Sequence, residues 1–303
     1  MSDLGRINGK TKLIGLLATP IGHSVSPAIH NTAFQKLGLN YAYLAFETGH
    51  DQLADVVTGM RALNVRGFNV SMPNKTKIIP LLDELSPAAH FANAVNTVVN
   101  EKGKLIGHIT DGTGYMHSLS DAGVEFIGKK ITLLGAGGAA TAIAIQAALD
   151  GVAEISIFNK NDAFFERAVK NAEIINDQIK DANGKANVYH LEDLDRLKEE
   201  IADSSVLINA TSVGMKPFDG ESLIPDASWL RPELYVSDIV YNPRKTKLME
   251  QAESMGCRTS NGLGMLIWQG AKAFEMWIGQ EMPVAYVQEQ IFSQESAAAL
   301  QKV

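Results

Sequence analysis

The chain has 303 residues, which suits about two domains, and its 46% hydrophobic and 20% charged content fits a soluble protein with a substantial core. Lys+Arg 27 against Asp+Glu 34 gives a net charge of −7, which argues against nucleic acid or an anionic membrane as partner and is compatible with a homodimer. No apolar run reaches the roughly 18 residues of a spanning helix, and the polar start "MSDLGRINGKTK" lacks an export core, so a cytoplasmic protein is expected.

Along the chain, short apolar runs alternate with helix-like segments. "KLIGLLA" (12–18) reads as a first strand, and "PAIHNTAFQKLG" (27–38) as the helix after it. Between them, "HSVSPAIHN" puts Ser24, Ser26 and Pro27 at the strand-to-helix turn. Ser26 as N-cap and Pro27 as first helical residue explain two of the three by capping. Two hydroxyls near a positive helix end also suit a small carboxylate, and capping alone does not need Ser24. "YAYLAFE" (41–47) is the next strand and "DQLADVVTGMRAL" (51–63) the next helix.

"GFNVSMPNK" (67–75) follows. A strand over 66–72 stops at Pro73 and Asn74, leaving Lys75 either a solvated charge or a side chain held by the turn for chemistry. Another strand, over 94–100, contains "NAVNTV", where Asn96 either bonds local backbone or serves a ligand. In "HITDGTG", Asp111 either caps the next helix or faces a site. Continuous apolar strands with crossover helices predict α/β architecture with mainly parallel sheets.

A sharper unit begins at Lys129. "KKITLLGAGGAATAIAIQAALDGVAEISIFNK" reads as strand, glycine turn, apolar helix and strand. Gly135, Gly137 and Ala140 fit G-x-G-x-x-G/A: tight turn, close approach to a pyrophosphate, and close helix–strand packing. Its place between a strand and a helix points to dinucleotide binding rather than a bare tight turn. The second strand ends at "FNKND", where Asp162 is placed to accept from a ribose 2′-hydroxyl and to repel a 2′-phosphate. NAD is therefore favoured, with NADP tolerated through Lys160, while Asp162 also reads as a helix cap. "EIINDQIKDANGKANV" is polar and reads as a helix end plus an exposed loop. "SSVLINATSVGM", "ELYVSDIVYNP" and "CRTSNGLGM" supply further strand ends. Cys257, the single cysteine, excludes an internal disulfide and a cysteine zinc cage and reads as a buried thiol. From Gly264 the tail is helical, with Trp268, Phe274 and Trp277 as a packing stripe.

Together, "HSVSPAIHN", "GFNVSMPNK", "NAVNTV", "TDGTG", "LLGAGGAA", "DIVYNP" and "GLGMLIWQGA" resemble the shikimate dehydrogenase family, in its order and over about residues 12 to 290. "FNKNDAFFERA", "GMKPFDGESL" and "WQGA" look like its quinate/shikimate branch, and "NKND" departs from the asparagine-arginine-threonine run of many NADP-using members. The resemblance implies a substrate domain of residues 1–112 and 264–303, a Rossmann domain of residues 113–263, and a cleft between them. It further implies NAD(P)-dependent, reversible reduction of 3-dehydroshikimate to shikimate in aromatic amino-acid biosynthesis, with quinate as an alternative substrate. By position, Lys75 and Asp111 would be the catalytic pair. Ser24 and Ser26 would hold the carboxylate, Asn96 and Gln269 the ring hydroxyls, and Tyr43, Ser71 and Tyr241 would lie at the substrate. Gly135, Ala136, Gly137, Gly138, Ala139, Asn159, Lys160, Asp162, Ile239 and Gly262 would hold the dinucleotide, with no metal.

Hydride addition to a ketone creates an alkoxide, and a lysine ammonium supplies both charge and proton there. Other chemistries fit poorly. Tyr241 and Lys245 have Tyr-x-x-x-Lys spacing, but Pro243 argues against the helical turn that motif needs. H-E-x-x-H, G-x-S-x-G and P-loop patterns are absent from the sequence. A dinucleotide-binding sensor without turnover is the alternative of a different class, and retention of both Lys75 and Asp111 argues against it.

Overall fold

The computed structural model describes residues 7–179 and 184–293. The chain forms two compact units, one built from residues up to Thr110 and from Ile267 onward, the other from Asp111–Leu266.

The first unit opens with β1 (Lys12–Ala18), α1 (Ser26–Lys36), β2 (Tyr41–Glu47), α2 (His50–Ala62) and β3 (Gly67–Val70). It continues with β4 (Glu84–Leu85), α3 (Pro87–Ala92), β5 (Thr97–Glu101) and β6 (Lys104–His108). α1 ends because Gly38 adopts φ +65, which lets the Gly38 and Leu39 N–H groups turn back onto Gln35 and Phe34 carbonyls. Ser86 caps α3 by accepting from Ala89 N, with Pro87 at the first helical position. The strands form one sheet in the order β2-β1-β3-β5-β6-β4. β1 pairs parallel with β2 and β3, but β5 runs antiparallel to both β3 and β6. The expected strand over 94–100 is thus shifted to Thr97–Glu101 and reversed. The tight turn after it, with Lys102 and Gly103 at positive φ, leaves no room for a crossover helix.

α4 (Thr110–Asp121) carries the chain into the second unit. There β7 (Lys130–Leu134), α5 (Gly138–Leu149), β8 (Glu154–Asn159), α6 (Phe165–Asp177), β9 (Lys185–His190) and α7 (Leu194–Asp203) follow. β10 (Val206–Asn209), β11 (Tyr235–Asp238), α8 (Lys247–Ser254) and β12 (Arg258–Ser260) complete it. All strands are parallel, in the order β12-β11-β10-β7-β8-β9. Counted within the unit this is 6-5-4-1-2-3, the doubly wound dinucleotide-binding arrangement, whose order reverses between β7 and β10. α5 is buried almost all round because its "AATAIAIQAAL" face has no polar stripe to expose.

α9 (Leu263–Ile278) returns the chain to the first unit and α10 (Val284–Phe292) closes it. Gly279, at φ +78, separates the two helices, so the expected helical tail is broken once. Phe274 and Trp277 on α9 join Ile14, Ile29, Phe34, Tyr43 and Val287 in one core. The Trp277 indole donates to Val98 O (3.0 Å), and Arg66 caps α9 by donating to the Trp277 and Met276 carbonyls. Gly67 is required beneath the indole, where a Cβ would lie 2.3 Å from Trp277 Nε1. The units divide inside α4 and α9, so their limits differ from the expected ones by a few residues. Among the described residues, no helix is long and apolar enough to cross a membrane.

Candidate functional site

In the first unit, the C-terminal ends of β1, β2 and β3 and the entry of α1 gather the polar side chains. Ser26 is the first residue of α1 and not its cap. Val25 holds the N-cap position without a side-chain bond, and Ser24 Oγ accepts from Ser26 N (3.3 Å). The capping expectation for Ser26 is therefore corrected, and Ser24 has the local role that capping did not seem to need. Both serines are half-buried. Tyr43 was expected at the substrate, yet it is fully buried. Its hydroxyl donates to Asn69 Oδ1 (2.7 Å), so it serves the buried polar core of the sheet. His30 stacks on the Tyr43 ring at 4.5 Å, and complete burial pushes its imidazole down to about 3.

Lys75 lies beyond β3, which ends at Val70, two residues before the expected limit. Residues 72–78 form consecutive turns, and the Met72–Pro73 peptide is cis. Asn74 is fully buried and fastens these turns. Its N–H donates to Ser71 O (2.9 Å), its Nδ2 to Thr48 O (2.8 Å), and its carbonyl accepts from Ile78 N (3.0 Å). The Lys75 carbonyl accepts from Val95 N (2.9 Å), which ties the turn to the segment leading into β5. Lys75 and Ser71 are both half-buried. Lys75 is thus carried on a braced turn, unlike a surface lysine on a frayed strand end. Asn74 was missed because an asparagine after proline reads from sequence as ordinary turn chemistry.

Asn96 is buried beside the start of α4. Its Oδ1 accepts from Thr110 N (2.8 Å), and its Nδ2 donates to Thr110 Oγ1 (3.0 Å) and Gln269 Oε1 (3.4 Å). The structure therefore brings Asn96 and Gln269, 173 residues apart, into contact. Asp111 follows Thr110 in the first turn of α4, where a carboxylate complements the helix dipole.

In the second unit, a cavity of about 300 Å³ opens at the C-terminal ends of β7, β8 and β10. Gly135, Ala136, Gly137, Asn159, Lys160 and Asp162 line it, together with Phe164, Leu191, Thr211 and Val213. Gly135 has φ +106, and a Cβ there would lie 2.9 Å from Ala210 O. Gly137, the N-cap of α5, has open space where a Cβ would stand and no capping side chain, an opening suited to phosphate oxygens. Gly138 and Ala139 open α5 behind it. Asp162 Oδ1 accepts from Asn159 Nδ2 (2.9 Å) and Phe164 N (2.8 Å) in a turn that ends before α6. The cap of α6 is Phe164, so Asp162 braces the approach to that helix and still lines the cavity. Phe164, Leu191, Thr211 and Val213 were missed; the signal for Thr211 was its place just past a strand at the switch point.

A neighbouring cavity of about 410 Å³ is lined by Thr211, Met215, Lys216, Asp219, Ile239 and Tyr241. Its wall hangs on buried Asp238, which accepts from Asn209 Nδ2 (3.0 Å), Val240 N (2.9 Å) and Thr246 Oγ1 (2.8 Å). Burial holds this carboxyl above its usual range despite those donors. Gly262 N donates to Val240 O, and a Cβ on Gly262 would meet Ile239 O at 1.9 Å, so glycine is needed there by packing. Residues 241–245 are not helical, and Lys245 pairs with Glu253 (2.5 Å), which removes the Tyr-x-x-x-Lys alternative. Cys257 is buried and its Sγ donates to Arg231 O (3.1 Å).

Two family profiles match the chain: the shikimate dehydrogenase substrate binding domain over residues 16–98, and the shikimate 5'-dehydrogenase C-terminal domain over residues 262–292. A shikimate dehydrogenase (NADP(+)) of Listeria innocua is 62% identical over 287 residues, covering 95% of this chain and 98% of that protein. Shikimate 5-dehydrogenase from Listeria monocytogenes, solved in complex with shikimate and NAD, superposes with a TM-score of 0.93 at 62% identity, covering 95% of this chain and 98% of that one. Quinate dehydrogenase from Corynebacterium glutamicum, in complex with NAD, gives a TM-score of 0.81 at 27% identity, covering 93% and 98%.

Proposed function

The chain belongs to the shikimate dehydrogenase family, and from that premise we infer that it interconverts 3-dehydroshikimate and shikimate with NAD(P), using Lys75 as its acid and base. The observation that carries the assignment of roles is the braced turn that holds Lys75 half-buried and ties its carbonyl to Val95 N, next in the chain to the Asn96 that meets Gln269. When bound, the nicotinamide supplies or accepts the hydride. The chain's residues do the rest. Ser24 and Ser26 hold the carboxylate at the entry of α1. Asn96 Nδ2 and Gln269 fix ring hydroxyls, Ser71 adds a hydroxyl contact, and Tyr241 borders the substrate. In reduction Lys75 Nζ gives its proton to the oxygen that was the ketone, and in oxidation it takes that proton back. Asp111 keeps the ammonium oriented and accepts from the same hydroxyl.

Gly135, Ala136 and Gly137 suit a pyrophosphate, and Asn159, Lys160 and Asp162 suit a ribose. Ile239 and Gly262 suit the nicotinamide end. Lys160 is the one cation among the described residues lining the glycine-walled cavity of about 300 Å³, and Asp162 lines it too. That balance supports NAD as the preferred dinucleotide, with NADP accepted. Shikimate is favoured over quinate by the far greater identity to the enzyme solved with shikimate. Steady-state rates for shikimate and quinate, each with NAD and NADP, test the whole reading through the absorbance of the reduced nicotinamide. Turnover of shikimate with NAD leading the four pairs is expected. Dinucleotide binding without turnover of any pair would make the protein a sensor instead.

A further inference from the structure

One buried amide sets the wall that the two cavities of the second unit share. Asn209 ends β10, in register with Leu134 of β7 on one side and Asp238 of β11 on the other, and is buried. Its Nδ2 donates to Val213 O (2.9 Å) and Asp238 Oδ1 (3.0 Å), and its Oδ1 accepts from Thr211 N (3.1 Å) and Thr211 Oγ1 (2.7 Å). Both amide hydrogens and both lone pairs of the amide oxygen are in use. The orientation is forced from both sides, because the Val213 carbonyl only accepts and the Thr211 N–H only donates. Thr211 Oγ1 also accepts from Val213 N (3.1 Å), so its one proton goes to Asn209 and a single lone pair is left over. Its methyl group stands against the glycine turn, where a Cβ on Gly135 would come within 2.9 Å of Thr211 Cγ2.

Thr211 lines both the glycine-walled cavity and the neighbouring one that Ile239 walls. A dinucleotide with its pyrophosphate at Gly137 and its nicotinamide at Ile239 carries its second ribose between those two groups. We propose that Thr211 Oγ1 accepts a hydrogen bond from a hydroxyl of that ribose, and that Asn209 is the positioning residue that makes Thr211 an acceptor only. The proposal rests on the reading above that the two cavities take the two ends of NAD(P). A ribose hydroxyl has a proton to give to the free lone pair, whereas the pyrophosphate oxygens have none and are repelled by it. The wall therefore sets the register of the dinucleotide, taking ribose at the junction and leaving the pyrophosphate to the N–H groups that open α5.

The test is the binding of ADP, ADP-ribose and NAD to the full-length protein, measured by titration calorimetry. ADP stops before the second ribose, ADP-ribose includes it, and NAD adds the nicotinamide. Thr211→Val keeps the shape and deletes the hydroxyl. It should weaken ADP-ribose and NAD by about 10-fold each, the value of one lost hydrogen bond, and leave ADP within about 2-fold. Thr211→Ser, which keeps the hydroxyl, should bind all three nearly as the native protein does. Asn209→Ala should reproduce the Thr211→Val pattern, and the double variant should bind ADP-ribose no more weakly than either single one, because Asn209 acts through Thr211. Asn209→Ser, whose hydroxyl can still donate to Asp238, takes its place if Asn209→Ala does not fold. Equal weakening of all three ligands makes the wall structural, a loss confined to NAD moves the contact to the nicotinamide, and no loss removes the contact. Each of these overturns the proposal, as does a Thr211→Ser protein as weak as Thr211→Val. Additive losses at Asn209 and Thr211 overturn the positioning role. A native protein that binds none of the three ligands would instead remove the assignment of the cavities to a dinucleotide.

Discussion

Lys75 is fixed by its neighbours more than by its own strand. Asn74, fully buried and bonded to Thr48, holds the turn, and Val95 N holds the Lys75 carbonyl. Replacing the ammonium by an apolar chain of similar length leaves this brace in place and removes only the proton and charge. Lys75→Met should therefore lower kcat about 10²–10⁴-fold, with shikimate binding weakened far less and the melting temperature nearly unchanged. Stopped-flow binding beside steady-state turnover separates the two effects. Asp162 gives a second residue-scale prediction. Its carboxylate is exposed on the cavity wall, so removing it removes repulsion from a 2′-phosphate without burying anything. Asp162→Ser should shift the ratio of kcat/KM for NADP over NAD upward by about 5–10-fold, a modest effect because solvent screens the charge. An unchanged ratio would mean that Asp162 only braces the approach to α6 through Phe164.

Helix α4 meets α5 backbone to backbone at Gly112. A Cβ there would stand 2.2 Å from Ala142 O and 2.7 Å from Gln146 Cβ, so the helices must separate to admit even a methyl group. Gly112→Ala should cost about 1–3 kcal/mol despite its better helix propensity, read as a lowered urea midpoint at constant slope. Other elements show where sequence reading works. β1, β2 and the β7–α5–β8 unit were legible because apolar runs and a glycine turn are local signals. The antiparallel course of β5 was not, since an apolar strand carries no mark of its direction; the turn at Lys102 and Gly103 sets it against β6, and its pairing with β3 emerges only in the folded sheet. The capping role expected of Ser26 fell to Val25 because helix limits move by a residue or two on details of dihedral angle. Lys75, Asn96 and Gln269 stood out by motif, but Asn69 and Asn74 did not. Their partners lie 26 to 28 residues away, at Tyr43, Asn96, Thr97 and Thr48, and only the folded sheet brings them together.

At the scale of the molecule, one buried group links stability to acidity. His30 sits among Phe34, Tyr43, Phe274 and Trp277, with its imidazole held at about 3 by burial. Above pH 6.5 the ring is neutral in both folded and unfolded chains and contributes no pH dependence. As pH falls below 6.5 the unfolded chain binds a proton that the folded core refuses until about pH 3, so stability is lost progressively across that window. The loss amounts to about 5 kcal/mol at the acid end. His30→Leu should flatten this limb of a urea-midpoint profile against pH, and a profile as steep as the native one would assign the acid sensitivity elsewhere. The two units also differ in how synthesis delivers them. The second is one uninterrupted stretch, whereas the first needs Phe274, Trp277, Val287 and Ile291 from the end of the chain to fill the core around Ile14 and Tyr43. On the ribosome the dinucleotide-type unit can therefore close while the earlier-made segment still exposes its core face and the Val98 carbonyl that Trp277 later covers. A nascent chain stalled with Leu266 just clear of the exit tunnel should resist protease across residues 111–266 and be cut within residues 7–110. Protection of both would mean that the first-made segment reaches its final packing unaided.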